Sequence, residues 1–174
     1  MDLVSHALVG NIFKEASRVN SIRDKIIVVS FAFLPDLPVL LVYLLLGHEK
    51  GRPYWIPYNS DWMGVRAAHP IWAALWEIPH SLLFLILVIA PLVVWLKWPK
   101  MAIASYLSHI VLDIPTHTGE WAVKPLFPLS LSTSGFTDAW AWPIPYMVIS
   151  WLVLLGCAFA IRWFLKRKST SIEV

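Results

Sequence analysis

In the stretch "SYLSHIVLDIPTHTGEW", residues 105–121, His109 and Asp113 stand four apart in an otherwise apolar run. Four residues is about one helical turn, so the two side chains share a face. An imidazole and a carboxylate on one face can ligate a divalent cation, or can simply satisfy each other as a polar pair bracing two helices. His117 follows in the loop-like "THTG". Other ionisable groups interrupt apolar runs elsewhere: His6 in "DLVSHALVG", Asp36 in "FLPDLP", and Glu77 and His80 in "LWEIPHS". Imidazole nitrogen and carboxylate oxygen suit zinc, manganese or iron. Two His and two Asp fill a tetrahedral or slightly larger shell. The one cysteine, Cys157, lies in an apolar run, which excludes a thiolate cluster and a disulfide framework. Each residue also has a plain structural reading. His6 is then a polar residue of a terminal helix, Asp36 a turn or cap acid, and His80 a helix start. Glu77 becomes an interfacial carboxylate and His117 a loop histidine.

The elements that must position these groups follow from the composition. The chain of 174 residues is 58% hydrophobic and 14% charged, with mean hydropathy +0.65. A soluble domain carries roughly 25% charged residues, so these charges are too few to cover a water-facing surface. The expectation is a single integral membrane domain over 1–174. A net charge of +3 without a basic, aromatic-interleaved stripe excludes a nucleic-acid partner. The opening "MDLVSHALVG" carries an acid and no basic leader, unlike a cleavable signal.

Four segments can enter a bilayer beyond the start of the chain: Ile26 to Leu46, Pro79 to Leu96, Met101 to Ile114 and Pro143 to Leu165. A span needs roughly 20 apolar residues, so the third needs neighbours. Asp2 to Ala16 makes a helix of roughly 22 Å at ~1.5 Å per residue, short for a crossing. The predicted fold is all-α: a polytopic membrane bundle of about four to five helices. Its N-terminal helix is short or re-entrant, and discontinuous helices surround the polar residues. Pro35 and Pro38 flank Asp36 and Pro115 follows Asp113. Proline interrupts helix hydrogen bonds, and broken backbone at membrane depth is tolerated where it lines a polar cavity. Segments 47–77 and 116–142 are long connections rich in Trp, Pro and Gly.

If the spans alternate, ten of the fourteen Lys and Arg fall on one side and Lys50, Arg52, Arg66 and Lys124 on the other. Basic residues favour the cytoplasmic side, which predicts a cytoplasmic C-terminus and both long loops outside. His6 joins the other groups only if its helix enters from outside. Lys50, Arg52 and Arg66 are then placed to attract an anionic head group.

The ordered set "DLVSHALVG", "FLPDLP", "PHSLLF" and "SHIVLDIPTHTG…PLFPLS" resembles the LexA-binding, inner-membrane-associated, metal-dependent hydrolase family of bacteria and archaea. The likeness runs from residue 2 to about residue 130. More distantly, it is similar to the soluble, helical, zinc-dependent phospholipase C and nuclease group. The resemblance implies that His6, Asp36, His80, His109 and Asp113 bind the metal, and that Thr116 and Gly119 form the small-residue turn after the last pair. Pro38 stands where the family often has a second acid, and "LWEIPHS" replaces a His and Arg-Gly before its His-Ser; Glu77 or His117 are the residues able to compensate. The expected function is membrane-embedded hydrolysis of a phosphoester or lipid-linked substrate by a metal-activated water. The cofactor is a divalent metal, zinc before manganese or iron, as one or two ions. Asp36 or Glu77 serves as the carboxylate that positions water or takes its proton. The implied location is a prokaryotic inner membrane, with membrane lipids as partners. Two rivals remain: a transporter or ion-conducting protein using the intramembrane His and Asp as a relay, and a non-catalytic membrane interaction protein.

Overall fold

The computed structural model describes residues 1–129 and 131–170. The described residues form helices and connections, with no strand. In chain order the helices are α1 Leu3–Ser17, α2 Ile22–Phe31, α3 Leu37–Glu49, α4 Val65–Ala68, α5 Pro70–Glu77, α6 Leu82–Trp95, α7 Met101–Thr116 and α8 Ile144–Thr170. The all-α expectation therefore holds.

The spans are less continuous than the sequence suggests. Among the described residues, the apolar stretch Ile144–Lys168 of α8, 25 residues with mean hydropathy 2.2, is the one helix long and apolar enough to cross a membrane unaided. Only 6% of its apolar window is buried within the protein. A helix that is apolar all round and bare on most sides needs a non-aqueous neighbour. The stretch expected to span from Ile26 to Leu46 is instead a bent pair, Ile22–Phe31 with Leu34–Glu49, at 59°. The stretch expected from Pro79 begins earlier, as Pro70–Glu77 bent by 60° into Leu82–Trp95. Counting each bent pair as one crossing gives up to three spans. Helix α7 runs to Thr116, past the expected end, with Pro115 in its last turn.

Local chemistry explains the breaks. Asp2 caps α1 by accepting the Ser5 N–H at 2.9 Å, and Ser21 caps α2 by accepting from Asp24 N at 3.0 Å. Pro35 and Pro79 lack the N–H that would carry a helix onward. The chain turns at each, through a 3-10 turn over Leu34–Asp36 and a non-helical stretch before Ser81 caps α6. A π-helical segment, Leu85–Ile89, lies inside α6.

Two apolar cores form on the helices that these bends connect. Phe31, Leu85, Ile89, Val93, Ala102, Tyr106 and Ile110 join α2, α6 and α7. Val39, Val42, Leu46, Trp62, Val65, Trp76 and Trp121 join α3, α4, α5 and both long connections. Helix α1 lies against α2, α7 and α8. Its Gly10 lets α2 approach, since a Cβ there would lie 2.8 Å from the Val29 carbonyl oxygen. Trp151 of α8 donates from Nε1 to Asp2 at 3.1 Å and to Ser5 at 3.2 Å, tying the exposed helix to the start of α1.

The first long connection is pinned by a two-pronged pair. Arg52 donates to Asp61 at 2.8 and 2.6 Å and stacks over Tyr58. The Arg52 hydrogen bonds hold the Asp61 carboxyl down at about 2. A carboxyl depressed on folding adds stability above its ordinary value of ~3.9 and loses it below. The difference in hydrogen-exchange protection between native protein and Asp61→Asn in segment 52–62 is therefore expected at neutral pH. It should shrink as pH falls from ~4 towards 2. A difference that persists unchanged to the bottom of that window would contradict the pairing. Gly47 offers a second check, because a Cβ would sit 2.0 Å from the Trp55 carbonyl oxygen, whereas Gly156 faces open space. Gly47→Ala should cost about 1–3 kcal/mol in detergent-solubilised unfolding, with Gly156→Ala near neutral.

Candidate metal centre

The two bends and the C-terminal half of α7 converge on a buried polar group. Asp36 closes the 3-10 turn between α2 and α3, and His80 lies in the bend between α5 and α6. His109 and Asp113 project from one face of α7, as their spacing predicts. Each of the four offers a ligand atom, and these atoms all lie within 4.8 Å of one another. His80, His109 and Asp113 are fully buried, and the Asp36 side chain is 13% exposed.

The histidines are oriented by carbonyls that the helix breaks release. His109 Nδ1 lies 2.8 Å from the Ala32 carbonyl oxygen, and His80 Nδ1 lies 2.7 Å from that of Trp76. Pro35 and Pro79 stand three residues beyond those two carbonyls and have no N–H to offer them. A carbonyl only accepts, so each Nδ1 carries the proton and donates it. In the neutral ring the other nitrogen, Nε2, is then a bare lone pair. The two Nε2 atoms face each other at 3.0 Å. Two lone pairs at that distance repel unless a cation or a shared proton lies between them. Fixing the tautomer from behind is the usual arrangement for a metal-ligating histidine. The Trp76 ring stacks on His80 at 4.1 Å, and the Tyr106 hydroxyl donates to the Pro79 carbonyl at 2.6 Å, so the bend is held on both sides.

The spacing fits a small ion. His80 Nε2 and His109 Nε2 each lie 3.5 Å from Asp36 Oδ1, and stand 3.6 and 3.1 Å from Asp113 Oδ2. Ligand atoms at ~2.05 Å from a tetrahedral centre are ~3.3 Å apart. Asp113 Oδ2 has no hydrogen-bond donor despite full burial. These residues are thus placed to hold a metal ion.

Asp113 also faces the other way. His6 Nε2 lies 3.0 Å from its Oδ1, with the His6 ring stacked on His109 at 3.7 Å. His117 Nε2 lies 3.4 Å from the same oxygen. The α-ammonium of Met1 sits among them, paired with Asp113 and 3.0 Å from His117 Nε2. His117 is buried, which pushes its imidazole below the ordinary value and favours the neutral ring. So the structure brings together His6, Asp36, His80, His109 and Asp113, and adds His117, which reads as a loop histidine from its Gly-containing context. The signal was available: 109, 113 and 117 continue one helical face at intervals of four.

Glu77 is not part of this group. Its Oε1 pairs with Lys124 at 2.5 Å and faces Arg66 Nε at 3.6 Å. Arg66 also donates to the Ala122 carbonyl at 2.6 Å, so this network fastens α4 and α5 to the second connection. The basic residues expected to draw an anionic head group are largely engaged: Arg52 with Asp61, Arg66 with Glu77, and Lys50 with Glu49 at 3.4 Å. His69 stacks on Trp72 and His48 meets Trp55 edge-on, both outside the group. Thr116 points its hydroxyl back to the Leu112 carbonyl, and Gly119 takes the positive φ of 58° that turns the chain. Gly135 closes the second connection onto α7, donating to the His117 carbonyl at 2.9 Å.

No protein-family model, no curated protein and no solved structure matches this chain. The chemistry of the group has to be argued from its own atoms.

Glu77→Ala separates the two carboxylate roles. It leaves Lys124 and Arg66, both partly exposed, without their carboxylate, and losing one partner of such a hydrogen-bonded pair costs about 1–3 kcal/mol. The unfolding midpoint should drop while the metal content of the folded fraction stays at the native level. Loss of bound metal in folded Glu77→Ala would place this carboxylate in the centre after all.

Proposed function

We propose that the protein is an integral membrane, metal-dependent hydrolase of a phosphoester or lipid-linked substrate. The observation that carries the reading is the pair of opposed imidazole Nε2 atoms, each left bare because Nδ1–H donates to a backbone carbonyl behind the ring, with two carboxylates whose oxygens lie within 4.8 Å of them. Two nitrogens and two oxygens favour zinc, with manganese or iron as alternatives. Asp113 Oδ1, His6 and His117 form a second face able to take another cation. Asp113, with one oxygen towards each group, would serve both sites if two ions were held.

A divalent ion held here supplies Lewis acidity and a water acidified towards ~7. The protein's own contribution is rigidity and dryness. Burial of His80, His109 and Asp113 removes competing water from three sides. Asp36, the member still partly exposed, is the carboxylate positioned to orient water or accept its proton. This is the chemistry that the likeness to the LexA-binding, inner-membrane-associated hydrolases implies. The bare apolar surface of α8 supports a membrane location. The balance of Lys and Arg supports a cytoplasmic C-terminus, with the polar group towards the opposite side.

Elemental analysis of protein purified without chelator should find about one to two transition-metal ions per chain. The double variant His109→Ala, Asp113→Ala should lose them. A folded native protein free of metal would remove the basis of the reading. In the native protein, chelation should also lower the unfolding midpoint, since repulsion between the two Nε2 lone pairs is then uncompensated; zinc should restore it.

A further inference from the structure

A cavity of about 160 Å³ opens beside Asp36, lined by Leu3, Val39, Leu40, Tyr43, Trp121 and Trp140. Asp36 is its one charged side chain; the rest of the wall is aliphatic or aromatic. Leu3 and Leu40 are 38% and 47% exposed, so they belong to the cavity and to the outer surface at once. That surface continues along α3 as Leu37, Leu41 and Leu44, all exposed. An unbroken apolar path therefore runs from the outside of the molecule to the one open carboxylate of the polar group.

A small water-soluble substrate gains nothing from such a wall. A molecule with hydrocarbon joined to an anionic head gains at both ends: its chain covers leucine and tryptophan, and its oxygens face a cation. An apolar cavity of ~150 Å³ stays dry and takes a benzene-sized hydrocarbon. The cavity beside Asp36 thus accommodates the first few carbons of a chain, and the open side leaves the remainder along α3.

We propose that this cavity seats the hydrocarbon chain of a membrane lipid, with the head group directed at Asp36. The direction of the head group rests on the metal-centre reading; the seat for the chain does not. Within this seat Leu40 and Val39 set how much hydrocarbon fits, and Trp121 and Trp140 cover it from the second connection.

The test uses the full chain in vesicles of zwitterionic and anionic phospholipid, doped with a phospholipid bearing a diazirine near the glycerol end of its acyl chain. Photolabelling should concentrate on peptides containing residues 39–43 and 138–142, above the general labelling of α8. Leu40→Trp should fill the cavity and cut labelling there about tenfold, the equivalent of ~1.4 kcal/mol of binding. It should leave the metal content and the labelling of α8 unchanged. Leu3→Trp, at a partly exposed lining position, serves as the second variant if Leu40→Trp fails to fold. Labelling no greater than that of α8, or unaffected by either substitution, would overturn the lipid seat. Selective labelling in native protein that proves metal-free would keep the seat and discard the metal centre. Stoichiometric metal without selective labelling would do the reverse.

Discussion

Two imidazoles with their lone pairs aimed at each other set the terms for the middle of this molecule. His80 and His109 come from bends and helices far apart in the chain, yet their Nε2 atoms stand 3.0 Å apart. Such an arrangement is uphill unless positive charge lies between the rings, and the backbone leaves the rings little freedom to turn away. The Ala32 and Trp76 carbonyls fix them from behind. Those carbonyls lie where the chain leaves the α-helical register: Asp36 N turns to the Phe33 carbonyl, and the residues three beyond Ala32 and Trp76 are prolines without an N–H. The helix breaks that look like defects in apolar spans are thus what fixes the protonation state of the site.

The same breaks divide the packing. One core lies on the α2, α6 and α7 side of the bends and the other on the α3, α4 and α5 side. The polar group sits where the chain passes from one to the other, so its residues inherit rigidity from both. The second long connection seals this junction: Ser81 and Leu82 bond to the Phe127 and Pro125 carbonyls at 2.8 Å, and Gly135 bonds to that of His117. Glu77, Arg66 and Lys124 serve that closure, which explains a buried carboxylate close in sequence to His80 without assigning it chemistry.

Some of this was legible beforehand. Helical class followed from apolar composition, and the pairing of His109 with Asp113 from a spacing that any helix converts into a shared face. The coincidence of Pro35 and Pro38 with Asp36 pointed to a broken helix lining something polar, and the break is there. His117 was legible only as the continuation of an interval of four, and Pro115 and Gly119 nearby argued for a loop instead. The role of Glu77 was not legible, because its partners Arg66 and Lys124 come from separate connections whose folding no local pattern records.

What the sequence by itself determined was local: which segments are apolar enough to be helices, where proline stops them, and which residue types could ligate. Those properties depend on neighbours within a turn or two. The tertiary structure alone decided that bends near 36 and 80 meet the face of α7, that both imidazoles present bare Nε2 atoms, and that Asp113 turns one oxygen to each side. These depend on long-range packing within two separate cores and on which carbonyls the breaks leave open, and neither is encoded in a spacing along the chain.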